Sequence, residues 1–178
     1  AIRRLRALVD ERSPTLLHLH NVLQAELLEA VPGMAPAVAT VQDHRSFCPG
    51  RGRMMPDRSP CDLTPGAEVC GRCFDTPAYA DMITALTRRR AAGLRRFHRV
   101  IALSHYMARE LCAAGLSPNR LRVIPPFPWF PQERSTLPPH LPEGPSITAA
   151  GRLVEAKGFD ILLEAWRRAE VELPLVLV

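Results

Sequence analysis

The sequence has no apolar run near the roughly 18–20 residues that a helical membrane span requires, which excludes a helical membrane protein. Its opening stretch, AIRRLRALVDERSP, carries arginines but no apolar core followed by a small-residue cleavage site, so it is not a secretory signal. A starting methionine is also missing, and the expectation is a fragment or a processed product. Charge of one sign is not in large excess. The 23 Lys+Arg against 18 Asp+Glu leave +5 over 178 residues, an ordinary surface balance that does not by itself imply nucleic acid. Cysteine is scarce, with five residues, and without an export signal disulfides are not expected. Apolar residues are not short: 47% hydrophobic against 23% charged is the mix of a folded chain and excludes disorder over most of the length.

What is present is an alternation. Residues 15–20 (TLLHLH), 37–41 (AVATV), 99–103 (RVIAL) and 121–124 (LRVI) are short, mostly apolar runs. They suit strands of a parallel sheet covered on both faces. Helical patterns separate them. Val22 to Ala30 is a short helix halted near Pro32-Gly33. Residues 77–97 put Tyr79, Met82, Ile83, Leu86, Leu94 and Phe97 on an apolar stripe, with Arg88, Arg89 and Arg96 on the other face. Ser104 is an N-cap residue for a helix through Met107, Leu111 and Ala114, and Gly115 is a natural residue to follow its end. This order of strands and helices predicts right-handed βαβ crossovers. His18, between Leu17 and Leu19, reads as a buried, hydrogen-bonded strand residue.

Proline, at 18 residues, is about twice the usual share of roughly 5%. Residues 125–145 hold eight prolines in 21 positions and read as an extended linker. The pattern then restarts with a strand over 146–150, a turn over 151–158, a helix over 160–169 and a strand over 173–178. Ile161, Leu162, Ala165, Trp166 and Ala169 would form that helix's buried face. A lone βαβ unit leaves edges uncovered, so a longer natural protein is expected. The class is α/β, with a partial first domain over 1–126, a linker over 127–145 and the start of a second domain over 146–178.

Three constellations could carry chemistry. The first is Gly151-Arg152-Leu153-Val154-Glu155-Ala156-Lys157-Gly158, placed after a strand and before a helix. Glycine permits close backbone approach, a helix N-terminus offers free N–H groups, and Arg152 and Lys157 add charge, an arrangement suited to a diphosphate. The stretch GRLVEAKGFDILLEAW resembles the motif that opens the C-terminal domain of GT-B glycosyltransferases of family 4. TLLHLHN at 15–21, RVIALSH at 99–105 and VIPPFPW at 123–129 resemble parts of that family's N-terminal domain. The resemblance spans about residues 13–178. It implies GT-B-like Rossmann domains with parallel sheets, both incomplete here, and a nucleotide-sugar donor whose diphosphate meets Gly151, Arg152 and Lys157.

The second constellation, Thr40-Val41-Gln42-Asp43-His44, closes the second strand. The resembling family usually has Thr-x-His-Asp here, so Gln42 stands in the place of a histidine, and Gln42 can bond a hydroxyl but cannot exchange protons near pH 7. His20, at the tip of the first strand, is a further candidate; the resemblance places His20, Asp43 and His44 on the acceptor side of catalysis. The third constellation is Cys48, Cys61, Cys70 and Cys73, inside a stretch, 44–75, with no convincing strand or helix and many prolines and glycines. A loop this long needs something to hold it. Four thiolates closing with Cys70-x2-Cys73 fit a structural Zn²⁺, while an iron–sulfur cluster and four unlinked thiols stay open. Cys112 reads as a small buried apolar residue.

The expected activity is hexosyl-type transfer from a nucleotide-diphosphate-sugar to a glycan, lipid-linked or small-molecule hydroxyl. The resemblance implies retention, glycan or cell-surface polysaccharide synthesis, and no catalytic cofactor. The chain alone is expected to be inactive. The alternative is a four-cysteine metal module binding a polyanion such as nucleic acid; few aromatics beside the cysteines weaken it, and no nucleic acid is expected. The expected location is cytoplasmic. Arg88–Arg90 and Arg95-Arg96 read as a solvated helix face, with peripheral contact at the inner membrane face as the weaker reading.

Overall fold

The structure is a computed structural model that describes residues 1–127, 142 and 144–178. Most of the proline-rich stretch 127–145 therefore lies outside the described residues. The chain divides into two compact units, Ala1–Pro128 and Trp129–Val178.

The first unit runs α1 (Ile2–Arg12), β1 (Leu17–His20), α2 (Ala25–Ala30), β2 (Ala37–Val41), α3 (Ala67–Gly71), α4 (Pro77–Leu94), β3 (Arg99–Ala102), α5 (His105–Ala113) and β4 (Leu121–Val123). The four strands form one parallel sheet in the order β1-β2-β3-β4, with Leu17 opposite Ala37, Val38 opposite Arg99 and Val100 opposite Leu121. Right-handed crossovers that all step in one direction put the connecting helices on one face of a sheet. The core fits that geometry. Ala37, Ala39, Val41, Val100, Ala102 and Leu121 cluster with the helix-side residues Leu28, Leu94, Phe97 and Leu111. Burying Phe97 completely contributes about 2–3 kcal/mol.

The same geometry corrects the expectation of strands covered on both faces. In β1 the residues alternate half-buried and exposed, and Arg99 and Arg122 are exposed on β3 and β4. His18 is accordingly exposed, although it does have the expected hydrogen-bond partner, with Nε2 2.7 Å from Thr40 Oγ1.

Helix α4 keeps its predicted stripe only in part, with Leu94 and the following Phe97 buried as read. Tyr79 and Met82 are exposed, and the buried positions are Ala80, Thr84, Thr87, Arg90, Gly93 and Leu94. Small residues face inward because α2 lies very close: a Cβ on Gly93 would stand 2.8 Å from the Cβ of Leu28. The α5 signals hold as read. Ser104 Oγ accepts from the Met107 N–H at 3.2 Å, and Gly115 has φ +90°. Residues 44–75 are less irregular than expected. A 3₁₀ turn spans His44–Ser46, α3 follows, and an antiparallel bridge joins Met54 to Pro60. Among the described residues no helix is long and apolar enough to cross a membrane.

The second unit has β5 (Ile147–Ala149), α6 (Phe159–Arg168) and β6 (Leu175–Leu177), with the strands parallel and Ile147 opposite Leu175. The expected buried face of α6 is only partly realised. Leu162 and Trp166 are half-buried, whereas Ile161, Ala165 and Ala169 are exposed. Two strands offer too little surface to cover a whole helix face.

Candidate active site

The parallel sheet of the first unit brings its strand C-termini to one edge, where α/β folds hold ligands. His20 ends β1 opposite Thr40. Asn21 follows in the left-handed region (φ 51°), which Asn tolerates better than most residues, and its N–H donates to the Thr40 carbonyl at 2.9 Å. The chain turns off sharply there and leaves His20 exposed at the tip. Gln42 Nε2 lies 3.4 Å from each ring nitrogen of His20. The His18 ring meets His20 edge to face, 5.8 Å between centroids. An imidazole and an amide, each able to donate and to accept a hydrogen bond, thus share one exposed corner, suited to holding a hydroxyl.

Asp43 and His44 are committed elsewhere. The Asp43 carboxylate caps the His44–Ser46 turn, accepting from the Arg45 N–H at 2.9 Å and from Arg45 Nε at 3.1 Å. Burial pushes the Asp43 pKa up, but the bonds and charge of Arg45, with a smaller effect of His44, hold it below its ordinary value of 3.8. It is an engaged anion rather than a proton donor. His44 Nε2 lies 2.9 Å from the Gly50 carbonyl, to which it donates, and its ring packs over Gly52, whose φ of +74° few other residues would adopt. Of the three expected acceptor-side residues, only His20 stands open at the strand ends.

Arg90 was hidden in the sequence by its basic neighbours. It is 8% exposed, and its guanidinium donates to the Leu23 carbonyl at 2.7 Å and the Arg45 carbonyl at 3.3 Å. Burial, and then the charge of Arg45, lower its pKa. One side chain on α4 therefore ties together the loops that leave β1 and β2, those carrying Gln42, Asp43 and the turn after His20. A buried hydrogen-bonding clamp inside an Arg-Arg-Arg run has no signal in composition.

In the second unit, Gly151 follows β5 and donates to the Val178 carbonyl at 2.8 Å. A 3₁₀ turn over Glu155–Lys157 then ends on Gly158, which takes a left-handed conformation (φ 69°) and serves as N-cap of α6 without a side-chain cap. Arg152 and Lys157 are both exposed beside that turn.

A family profile described as Glycosyltransferase Family 4 matches residues 1–127. The chain belongs to that family. Comparison with curated proteins and with solved structures gave no match. The family 4 match takes in the strand-end corner, Arg90 and the cysteine-bearing segment. It stops before Gly151–Gly158, whose reading rests on its own geometry and on the motif resemblance.

Within the family 4 domain, Cys48, Cys61, Cys70 and Cys73 line one cavity of about 20 Å³, and all are unpaired thiols. Burial first, and then the nearness of the other cysteines, raise the pKa values of Cys70 and Cys73 above 9.0. The sulfurs line the cavity without being drawn to a common point: among the described residues, no three His, Cys, Asp or Glu side chains stand in a metal-ligating arrangement. The Arg53–Glu110 ion pair, at 2.8 Å and largely buried, fastens the segment to α5. Cys112 is half-buried against the core and apart from this cavity.

Proposed function

We propose that this family 4 glycosyltransferase moves a sugar from a nucleoside-diphosphate donor to an acceptor hydroxyl, with retention, in glycan or cell-surface polysaccharide synthesis. The donor diphosphate is assigned to Gly151, Arg152, Lys157 and the first-turn amides of α6. The acceptor side is assigned to His20 and Gln42. When the bond from the anomeric carbon to the diphosphate breaks, negative charge builds on the phosphate. Fixed cations and helix N-terminal N–H groups stabilise that charge without a catalytic metal. His20 accepts a hydrogen bond from a sugar hydroxyl, and Gln42 orients it. Asp43 acts indirectly, by holding Arg45 and the turn beside that corner.

The observation that carries this reading is the exposed pair Arg152 and Lys157 in the turn that joins β5 to the start of α6, where no side chain caps the helix. Hydrogen bonds to charged groups contribute about 1.5–3 kcal/mol each. Replacing both residues by Ala in the full chain should therefore weaken nucleotide-sugar binding roughly a hundredfold or more. Titration calorimetry with UDP- and GDP-sugars would measure it, and unchanged affinity would refute the assignment.

A further inference from the structure

We infer that Cys48, Cys61, Cys70 and Cys73 form a structural site for one thiophilic divalent cation of the zinc class, separate from glycosyl transfer. The four arrive from different local structures. Cys48 follows the His44–Ser46 turn, Cys61 follows the Met54–Pro60 bridge, Cys70 lies in α3, and Cys73 lies just beyond it. Three separate segments of the chain, the last bringing both Cys70 and Cys73, nevertheless end on one small cavity, and no histidine or carboxylate lines it. Its volume of about 20 Å³ suits a single small body such as one ion or water.

Two details adapt the surroundings to sulfur. Gly50 keeps space open, since a Cβ there would stand 3.2 Å from the Cys73 sulfur. The Arg53 backbone N–H donates to the Cys48 sulfur at 3.4 Å, the kind of outer hydrogen bond that orients a metal-bound thiolate. An all-sulfur donor set selects zinc-like cations over magnesium or calcium. Binding draws the sulfurs from the cavity wall to about 2.3 Å from the ion and deprotonates them. The Arg88 and Arg51 guanidiniums, whose charges act on Cys70 and Cys73, offset part of the remaining negative charge. The gain is order in residues 48–66, adding to the Met54–Pro60 bridge, the His44–Gly50 and Arg53–Leu63 hydrogen bonds and the Arg53–Glu110 pair.

The test is elemental analysis of the full chain purified without added metal, with thiol titration before and after a chelator. One zinc per chain is expected. Chelation should raise the reactive thiols from one, Cys112, toward all five and lower the thermal midpoint, and added Zn²⁺ should reverse both. The double variant Cys70→Ser, Cys73→Ser should lose the zinc, while Cys112→Ser keeps it. Because the double variant can unfold the segment, Co²⁺ added to the chelated unmutated chain is the second readout, with the absorption of tetrahedral cobalt–thiolate expected. Iron with inorganic sulfide, a disulfide among the four, or no metal together with an unchanged Co²⁺ spectrum would each overturn the inference.

Discussion

The two units use the same strand–helix–strand grammar and reach opposite burial. In the first, Ala25, Val31, Ala37, Phe97, Val100 and Ala102 are entirely inaccessible. In the second, no described residue is buried, and Leu153 and Ile161 are 75% and 59% exposed. Propensity does not separate them. α6 is strongly amphipathic in sequence, whereas α4 turns Ala, Thr, Arg and Gly inward. Four strands with several helices on one face let each apolar side chain meet partners from different elements. A helix against two strands has only one layer to meet. Burial is thus a property of the assembled layers, and the Gly151–Gly158 turn stands on a framework with little packing of its own.

The sharpest way to break this comparison is to remove one aromatic from each unit of the 178-residue chain. Phe97→Ala should cost about 3–5 kcal/mol in denaturant unfolding. Trp166→Ala, which loses a half-buried ring and the Nε1–H bond to the Leu173 carbonyl at 3.2 Å, should cost about 1 kcal/mol or less. Equal losses would mean that the second unit is as well packed as the first. Between these extremes lies Arg90→Met. It should cost roughly 2–3 kcal/mol, because the carbonyls of Leu23 and Arg45 lose a charged donor. Its signature is local, with faster amide exchange at residues 21–24 and 44–47. Uniform exchange changes would show that Arg90 is ordinary packing and not a clamp.

Much of this was legible in the sequence for physical reasons that can be named. Apolar β-rich runs marked β1 to β4, a serine and a glycine marked the ends of α5, and a glycine-flanked basic turn marked the start of α6. What escaped depends on neighbours. Arg90 reads like Arg88 and Arg89, since only the approach of α2 and the two strand-end loops makes it a buried donor. The inward face of α4 escaped because Gly93 and Leu28 pack too closely for the large residues a stripe is read from. His44 lies two places past Gln42 in sequence, yet its hydrogen bond to Gly50 assigns it to the cysteine-bearing segment. Asp43 read as an acceptor-side residue, and its bonds to Arg45, two residues on, hold it as the cap of the His44–Ser46 turn.

The central claim is that the exposed cations Arg152 and Lys157 hold the donor diphosphate. The most direct measurement is a crystal structure of the full chain soaked with UDP or GDP. The account predicts diphosphate oxygens on Arg152, Lys157 and the amides that open α6. A diphosphate bound away from residues 151–161 would contradict it.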